Sequence, residues 1–434
     1  MATQLSRTFG SQGNQRKFTI STWVKRNKLG TQQAIFGSGG SGAYATNMYF
    51  STINELQFWN YFGGAYAGYK YSSAVFRDTS AWYHIVFRVD TTSATASERM
   101  RIYVNGEEIS YSSSVNPNQN QTMEIGHTGT HYIGGYGTGA EAEMCMSHFH
   151  YCDGQSYAPT EFGEYDANGV WKIKLEPSVS YGVSGHFLFN NDASVTDQSG
   201  LGNNWSVNSG TLTQTEDNPS NVFATWNPLV KQGTSSNTTY SNGNTTIDFP
   251  AGGDGNMYST LGFSSGKYYF EWKINSFTAD RGHSVGLYTS DRLTSGSGSD
   301  SVLLQFCKTG NTNAINAFGS AVQTGLASFS NGDIIGVAVD ADNGTVDFTK
   351  NGSTYGSQVT GLSSNFSGKD LFFGALGEGH PTLVRVFNAS ANFGNGYFGT
   401  TAVASAGTNA SGIGIFEYDV PTGYTALSTK GLNL

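Results

Sequence analysis

With 434 residues the chain is long enough for two or three domains, each with a full hydrophobic core. Charged residues make up 13% of it, against roughly a quarter in an average globular protein, while 57 glycines with abundant Ser, Thr and Asn favour turns and exclude long helices. A net charge of −9 without clustered Lys or Arg excludes nucleic acid as a partner.

The first residues, MATQLSRTFGSQGNQRKF, lack the apolar core of a signal peptide, and no apolar run approaches the ~20 residues of a membrane helix. The expectation is a soluble chain without Sec-type export and without membrane insertion. FTISTWVKR (18–26) then alternates Phe18, Ile20 and Thr22 against Thr19, Ser21 and Trp23, as an early sandwich strand does. A glycine-rich turn is expected at 36–42. In FWNYFGGAYAGYKY (58–71) the rings of Trp59, Tyr61, Tyr66, Tyr69 and Tyr71 are too many for one strand's inward face, so some must be exposed. Flat aromatic faces beside Asn and Gly stack on the apolar C–H side of sugar rings while amides meet the hydroxyls. Trp59, Tyr61, Tyr66 and Tyr69 are therefore the candidate glycan-binding residues, the alternative being core packing plus ordinary loop tyrosines. Further on, WYHIVFRVD (82–90) alternates Tyr83, Ile85, Phe87 and Val89, and RMRIYVNG (99–106) alternates Met100, Ile102 and Val104 before the turn pair Asn105-Gly106. On these three strands, over roughly residues 15 to 155, the chain resembles the laminin-G-like branch of the concanavalin-A-like jelly rolls.

Metal and catalytic patterns occur in the same region. His148, His150 and Cys152 alternate along MCMSHFHYCD, with His127 and His131 upstream, and two His on one face could hold zinc. No second Cys or carboxylate pair completes four ligands, so the plainer expectation is a strand with imidazoles on its wetter face. Asp90, Asp153 and Asp197 stand at strand ends or turns where jelly rolls collect calcium, yet each alone is a turn former. No cofactor is expected and calcium is not assignable. Glu141 and Glu143 are the nearest imitation of a glycanase carboxylate pair, and the strand signature Glu-x-Asp-x-x-Glu is absent. GFSSG (262–266) fits the nucleophile-elbow pattern but is followed by a strand, and residues 135–140 fit a loose dinucleotide fingerprint with no helix behind them. Both read as turns. Cys145, Cys152 and Cys307 are an odd set without framework spacing, hence free thiols made in a reducing cytosol, and the Asn237-Thr238-Thr239 sequon is composition.

Residues 146–229 contain MSHFHYCDGQSYAPTEFGEYDANGVWKIK, YGVSGHFLFNND and DQSGLGNNWSVNSGTLTQTEDNPSNVFATWNPL. This run resembles the connector of structural and tail-associated proteins of tailed bacteriophages, with Lys172-Ile173-Lys174 standing where a proline usually follows the tryptophan. Beyond it, GKYYFEWKI (266–274), SVGLY (284–288), the hairpin 331–352 with turns at Asp342-Asn343-Gly344 and Asn351-Gly352, LFFGALGEG (371–379) and LVRVFNASANFG (383–394) resemble, in this order, a SPRY domain. That family is a curved antiparallel sandwich whose loops bind partner proteins, and it supplies no catalytic residues. The end, FEYDVPTGYTALSTKGLNL, is similar to the ends of phage proteins carrying SPRY-like modules, with Tyr418, Val420, Tyr424 and Leu427 as an apolar strap.

The expected fold is all-β: two antiparallel jelly-roll sandwiches, 1–160 and 227–400, with a β-rich connector at 161–226 and a C-terminal strap at 401–434. The resemblances imply a non-enzymatic virion surface protein of tail-fibre or appendage type, gripping host surface glycan or an envelope receptor and touching other virion proteins. A capsid decoration or head-fibre role, and a glycan depolymerase, are the alternatives. The first of these rests on the jelly roll beginning close to Met1. Without heptads, the sequence leaves homo-oligomerisation open.

Overall fold

Lys17–Arg26 is hydrogen-bonded along its length to Trp82–Asp90 on one side and to Met144–Asp153 on the other. Around it the first half of the chain is built. The computed structural model describes residues 2–137, 140–190, 193–230, 238–249, 255–277, 283–295, 299–306, 313–377 and 387–434. They form two units, divided between Gln214 and Thr215.

In the first unit a six-stranded sheet runs His186–Leu188, Met144–Asp153, Lys17–Arg26, Trp82–Asp90, Met100–Val104 and Glu107–Glu108. Facing it is an eight-stranded sheet, in the order Tyr111–Val115, Ala65–Val75, Glu55–Phe62, Tyr44–Phe50, Gln33–Ser41, Thr130–Ile133, Gln4–Thr8 and Ser206–Ser209. Every strand pair is antiparallel, and the core forms where alternate side chains of both sheets meet: Phe58 lies 5.3 Å from Phe87 and Phe36 lies 5.5 Å from Phe149, ring centre to ring centre. Asn105 and Gly106 take positive φ, 49° and 90°, as the Asn-Gly turn requires.

Two expectations are corrected here. The glycine-rich stretch at 36–42 is extended up to Ser41, where it pairs with Tyr44–Phe50, and the space a side chain at Gly37 would fill holds the Asn47 amide and the Tyr136 Cβ. The outer face of the six-stranded sheet is also dry. Residues 157–181 lie over it as a third layer, burying Phe162 and Trp171 and closing Val86, Tyr103, Cys152, His84 and His150 beneath them. Residues 161–226, set apart in sequence as a connector, thus join both units: His186–Leu188 pairs with Met144–Asp153, Ser206–Ser209 pairs with Gln4–Thr8, and Phe223 and Trp226 are buried in the second unit.

The second unit repeats the sandwich. One sheet centres on Lys267–Phe277, flanked by Ile334–Asp340 and Phe387–Asn392, and the other on His283–Thr289, flanked by Leu371–Gly377 and Ser301–Phe306. Phe270 meets Phe373 at 4.4 Å across the core, and Trp226 closes one end against Trp272 at 5.2 Å. The terminal segment returns as Thr425–Ala426, parallel to Lys267–Phe277, with Phe416 and Val420 packed on Tyr269 and Ala338. Leu427 enters the main core, so the strap is an integral part of this sandwich. Among the described residues only two short α-helices occur, Asp291–Ser295 and Ser363–Phe366, and no helix is long and apolar enough to cross a membrane.

Candidate functional site

The four candidate aromatics lie on one hairpin, Glu55–Phe62 and Ala65–Val75, turned at Gly63-Gly64 with φ of 65° and 85°. Strand alternation sends Leu56 and Phe58 into the core and Gln57, Trp59 and Tyr61 to the outer side of the eight-stranded sheet. Among the described residues of this unit, no further layer covers them. Tyr66 is 54% exposed, and Trp59, Tyr61, Tyr69 and Tyr71 are half-buried.

The rings support one another. Tyr66 stands edge-on to Trp59 at 5.8 Å, to Tyr61 at 5.3 Å and to Tyr69 at 5.9 Å, while Tyr69 and Tyr71 lie 4.9 Å apart. Such pairs are worth about 0.5–1.5 kcal/mol beyond area burial, so the platform is held rigid before any ligand arrives. Tyr49 donates to the Gln57 amide oxygen at 2.5 Å and Gln57 donates to Glu55 at 3.0 Å. Burial and the neighbouring phenols push the Tyr71 hydroxyl up to about 12, so it remains a neutral hydrogen-bonding group at ordinary pH. The structure therefore brings Trp59, Tyr61, Tyr66 and Tyr69 together, and adds Tyr49, Gln57, Tyr71 and Tyr136. Asn47 and Tyr49 share the outer side of Tyr44–Phe50 by register but are buried there, 3% and 8% exposed, so burial along this strand does not alternate. Tyr136 comes from a loop that carries no periodic signal.

The calcium candidates are occupied otherwise. Asp90 accepts the Thr92 N–H and hydroxyl and pairs with Lys17. Asp153 accepts the N–H groups of Asn14, Val183 and Ser184, and Asp197 those of Phe187, Ser199 and Asn203. These carboxylates hold loops, and their oxygens face donors where a cation would need acceptors. A cleft of about 550 Å³ beside Asp153, lined by Gln12, Asn14, Arg16, Thr122 and Val183, is mixed in polarity and has no aromatic wall.

His127 is half-buried, its Nδ1 2.6 Å from the Glu124 carbonyl oxygen, and the other histidines are core groups. His150 stacks on Phe187 at 4.1 Å and its Nδ1 lies 2.8 Å from the Tyr181 hydroxyl, while His148 occupies an irregular step in its strand with φ of 49°. His84 lies between Trp23 and Trp171. Trp171 Nε1 donates to its Nδ1 at 3.0 Å, which leaves the Nε2 proton for the Ser21 hydroxyl at 2.8 Å. His131 stacks on Phe9 at 3.8 Å. Burial holds His84 and His131 down at about 3 and His148 at about 4, so all three are neutral. Among the described residues no three metal-ligating side chains come together. Glu141 accepts from Ser209, and Glu143 pairs with Lys28 at 2.8 Å. Ser264 and Ser265 sit on an exposed turn between Phe263 and the strand Lys267–Phe277, with no helix after them. Thr138, Gly139 and Cys307 lie outside the described residues.

Comparison with known proteins agrees with this architecture. Residues 4–143 match the concanavalin A-like lectin/glucanases superfamily, and residues 267–377 match the SPRY domain. The chain thus combines a concanavalin-A-like sandwich with a SPRY sandwich. Among solved structures it is similar to the SPRY domain of human HERC1, at 20% identity, TM-score 0.31, covering 38% of this chain and 96% of that one. It is also similar to the TRIM65 PSpry domain, at 15% identity, TM-score 0.29, covering 39% and 91%. A third is a heptameric SAP-like pentraxin from Limulus polyphemus, at 16% identity, TM-score 0.27, covering 36% and 72%. No curated protein matches the sequence.

Proposed function

We propose that the chain is a non-enzymatic binding protein that holds glycan on the open aromatic face of its first unit. The observation that carries this is an asymmetry. One outer face of the first sandwich is sealed by residues 157–181, while the opposite face presents Trp59, Tyr61, Tyr66, Tyr69 and Tyr71 half-exposed and braced against each other. Large exposed aromatic patches are costly in water unless they serve a contact. A binding role without catalysis is supported by the carboxylates: Glu55 stands alone among the outward side chains of its hairpin, and hydrolysis of a glycosidic bond requires two.

The resemblance of residues 146–229 to phage connectors supports a virion surface, with a tail fibre or appendage as its site and cell-surface glycan as its target. Many copies on one particle would convert weak single contacts into firm attachment. Affinity electrophoresis of the purified chain in gels containing host surface polysaccharide tests the binding: retardation lost in Trp59→Ala and Tyr69→Ala supports it, and unchanged migration of the native protein rejects it. Release of new reducing ends from that polysaccharide would replace binding with cleavage. Gold-labelled antibody on intact particles tests the location, and label on icosahedral faces would move the protein from tail to capsid.

A further inference from the structure

The same face narrows the chemistry of its ligand, and this inference rests on the glycan reading above. Strand register places Gly37, Asn47, Trp59, Tyr69 and Val115 in one row across five strands, with Tyr49, Gln57 and Tyr71 in the row beside it. Gly37 and Asn47 are buried, so the accessible part of the row is Trp59, Tyr69 and Val115, about 10 Å at the usual strand spacing of about 4.8 Å. Its Gly37 end lies against Tyr136. A Cβ there would approach the Tyr136 Cβ to 3.0 Å and overlap the Asn47 amide oxygen, so only glycine lets Tyr136 lie down on the sheet beside Tyr49.

We propose that this row seats an uncharged oligosaccharide lying across the strands, and that the face rejects anionic glycans. The outward positions of its five strands are Ala, Gly, Ser, Asn, Gln, Val, Tyr and Trp, with Glu55 as the one charged group; among the described residues none is Lys or Arg. Lys70, on the same hairpin, points the other way: it is 4% exposed, donates to Asn116 at 2.6 Å and lies over the Tyr111 ring. Carboxylate, sulfate and phosphate groups are bound by paired cationic donors, and here they would meet Glu55 and a field of phenols instead. Neutral hydroxyls find amide and phenol partners and a C–H face finds rings. A proline-rich peptide is disfavoured by ring geometry. Such peptides insert between aromatic walls of a groove, whereas Tyr66 meets Trp59 at 88°, Tyr61 at 80° and Tyr69 at 71°, so each slot is closed by the edge of the next ring.

The test is affinity electrophoresis of the full chain against neutral polymers (a β-glucan, a galactomannan, a starch-type glucan), anionic polymers (alginate, heparin) and a polyproline peptide. At least one neutral polymer is expected to retard the protein. Trp59→Ala and Tyr69→Ala should each weaken that retardation by about tenfold, with the thermal transition of the first unit retained. Gln57→Lys, which sets a cation on the row, should gain retardation by alginate or heparin. Retardation of the native chain by an anionic polymer, lost in Trp59→Ala, would overturn the neutral assignment and leave the glycan-binding face standing. Binding to the polyproline peptide with the same mutational loss would replace the glycan by a peptide. Indifference to every polymer, or neutral binding untouched by both substitutions, would reject the face as a glycan site altogether.

Discussion

Glu271 is the most constrained single side chain of the second unit: fully buried, it accepts the Glu417 N–H at 2.9 Å, the Tyr418 N–H at 2.8 Å and the Asn392 amide at 3.1 Å. It is the polar pin that holds the strap down on its sheet. Replacing it by alanine strands these donors in a dry site, and each orphaned buried donor costs about 1–3 kcal/mol, part of it recovered as the strap shifts. Glu271→Ala should therefore destabilise the second unit by about 3 kcal/mol, read as a lower urea midpoint. The same carboxyl titrates unusually. Burial raises it to about 7 against the pull of its N–H donors, so its contribution is fully present below its unfolded value near 4.5 and is lost as pH rises through about 7. Glu271→Gln removes that dependence. Nothing in the pattern GKYYFEWKI marks this residue as buried, since a charged group between Phe270 and Trp272 reads as an outward, wet position. The same blindness applies to Asp153 and Asp197, whose backbone partners come from 30 or so residues away and from Phe187 and Asn203 respectively. By contrast Trp59, Tyr61, Tyr66 and Tyr69 were legible, because too many large rings in one short run must spill onto a surface.

At the scale of elements, the hairpins were readable because turn chemistry is local: Asn351 and Gly352 take φ of 50° and 77°, and the alternation on either side fixes the register. The third layer over the six-stranded sheet was not. Its own strands, Gly163–Tyr165 and Trp171–Ile173, are too short to show a period, and their partners are distant in sequence. Its consequence is chemical, because it converts a face bearing imidazoles from wet to dry. Trp171 is the contact that matters most there, touching His84 and fitting against Gly163 and Gly106, where added Cβ atoms would come within 2.5 Å and 2.6 Å of its ring. Gly163→Ala should lift Trp171 from His84 and cost about 1–3 kcal/mol as an overpacked contact. The check is a red-shifted tryptophan emission with a lowered melting temperature. Glycan binding should persist, since the aromatic face belongs to the opposite sheet.

For the whole molecule, both units bury histidine, five in the first and His283 in the second, but the contributions of the first unit's imidazoles and of Glu271 should run in opposite directions with pH. The first unit encloses His84, His131 and His186, each held down at about 3 by burial, His148 at about 4, and His150 lowered in the same sense. An unfolded chain binds these protons near pH 6.5, so the stability tied to neutral imidazoles is present above that value and is lost as pH falls toward the folded values. The second unit carries Glu271 with the reverse sign, gaining as pH falls from about 7 toward 4.5. Between about pH 5 and pH 7 the two effects oppose each other within one chain. Calorimetry of the full protein should then resolve two transitions that converge or cross over this range, one rising with pH and one falling. His150→Phe, which keeps the stack on Phe187 and deletes a titrating ring, should flatten the rising transition only. Glu271→Gln should flatten the falling one only. A single transition moving in one direction, or both variants acting on the same transition, would mean that the two sandwiches unfold as one cooperative body and that their separate cores do not set their separate stabilities.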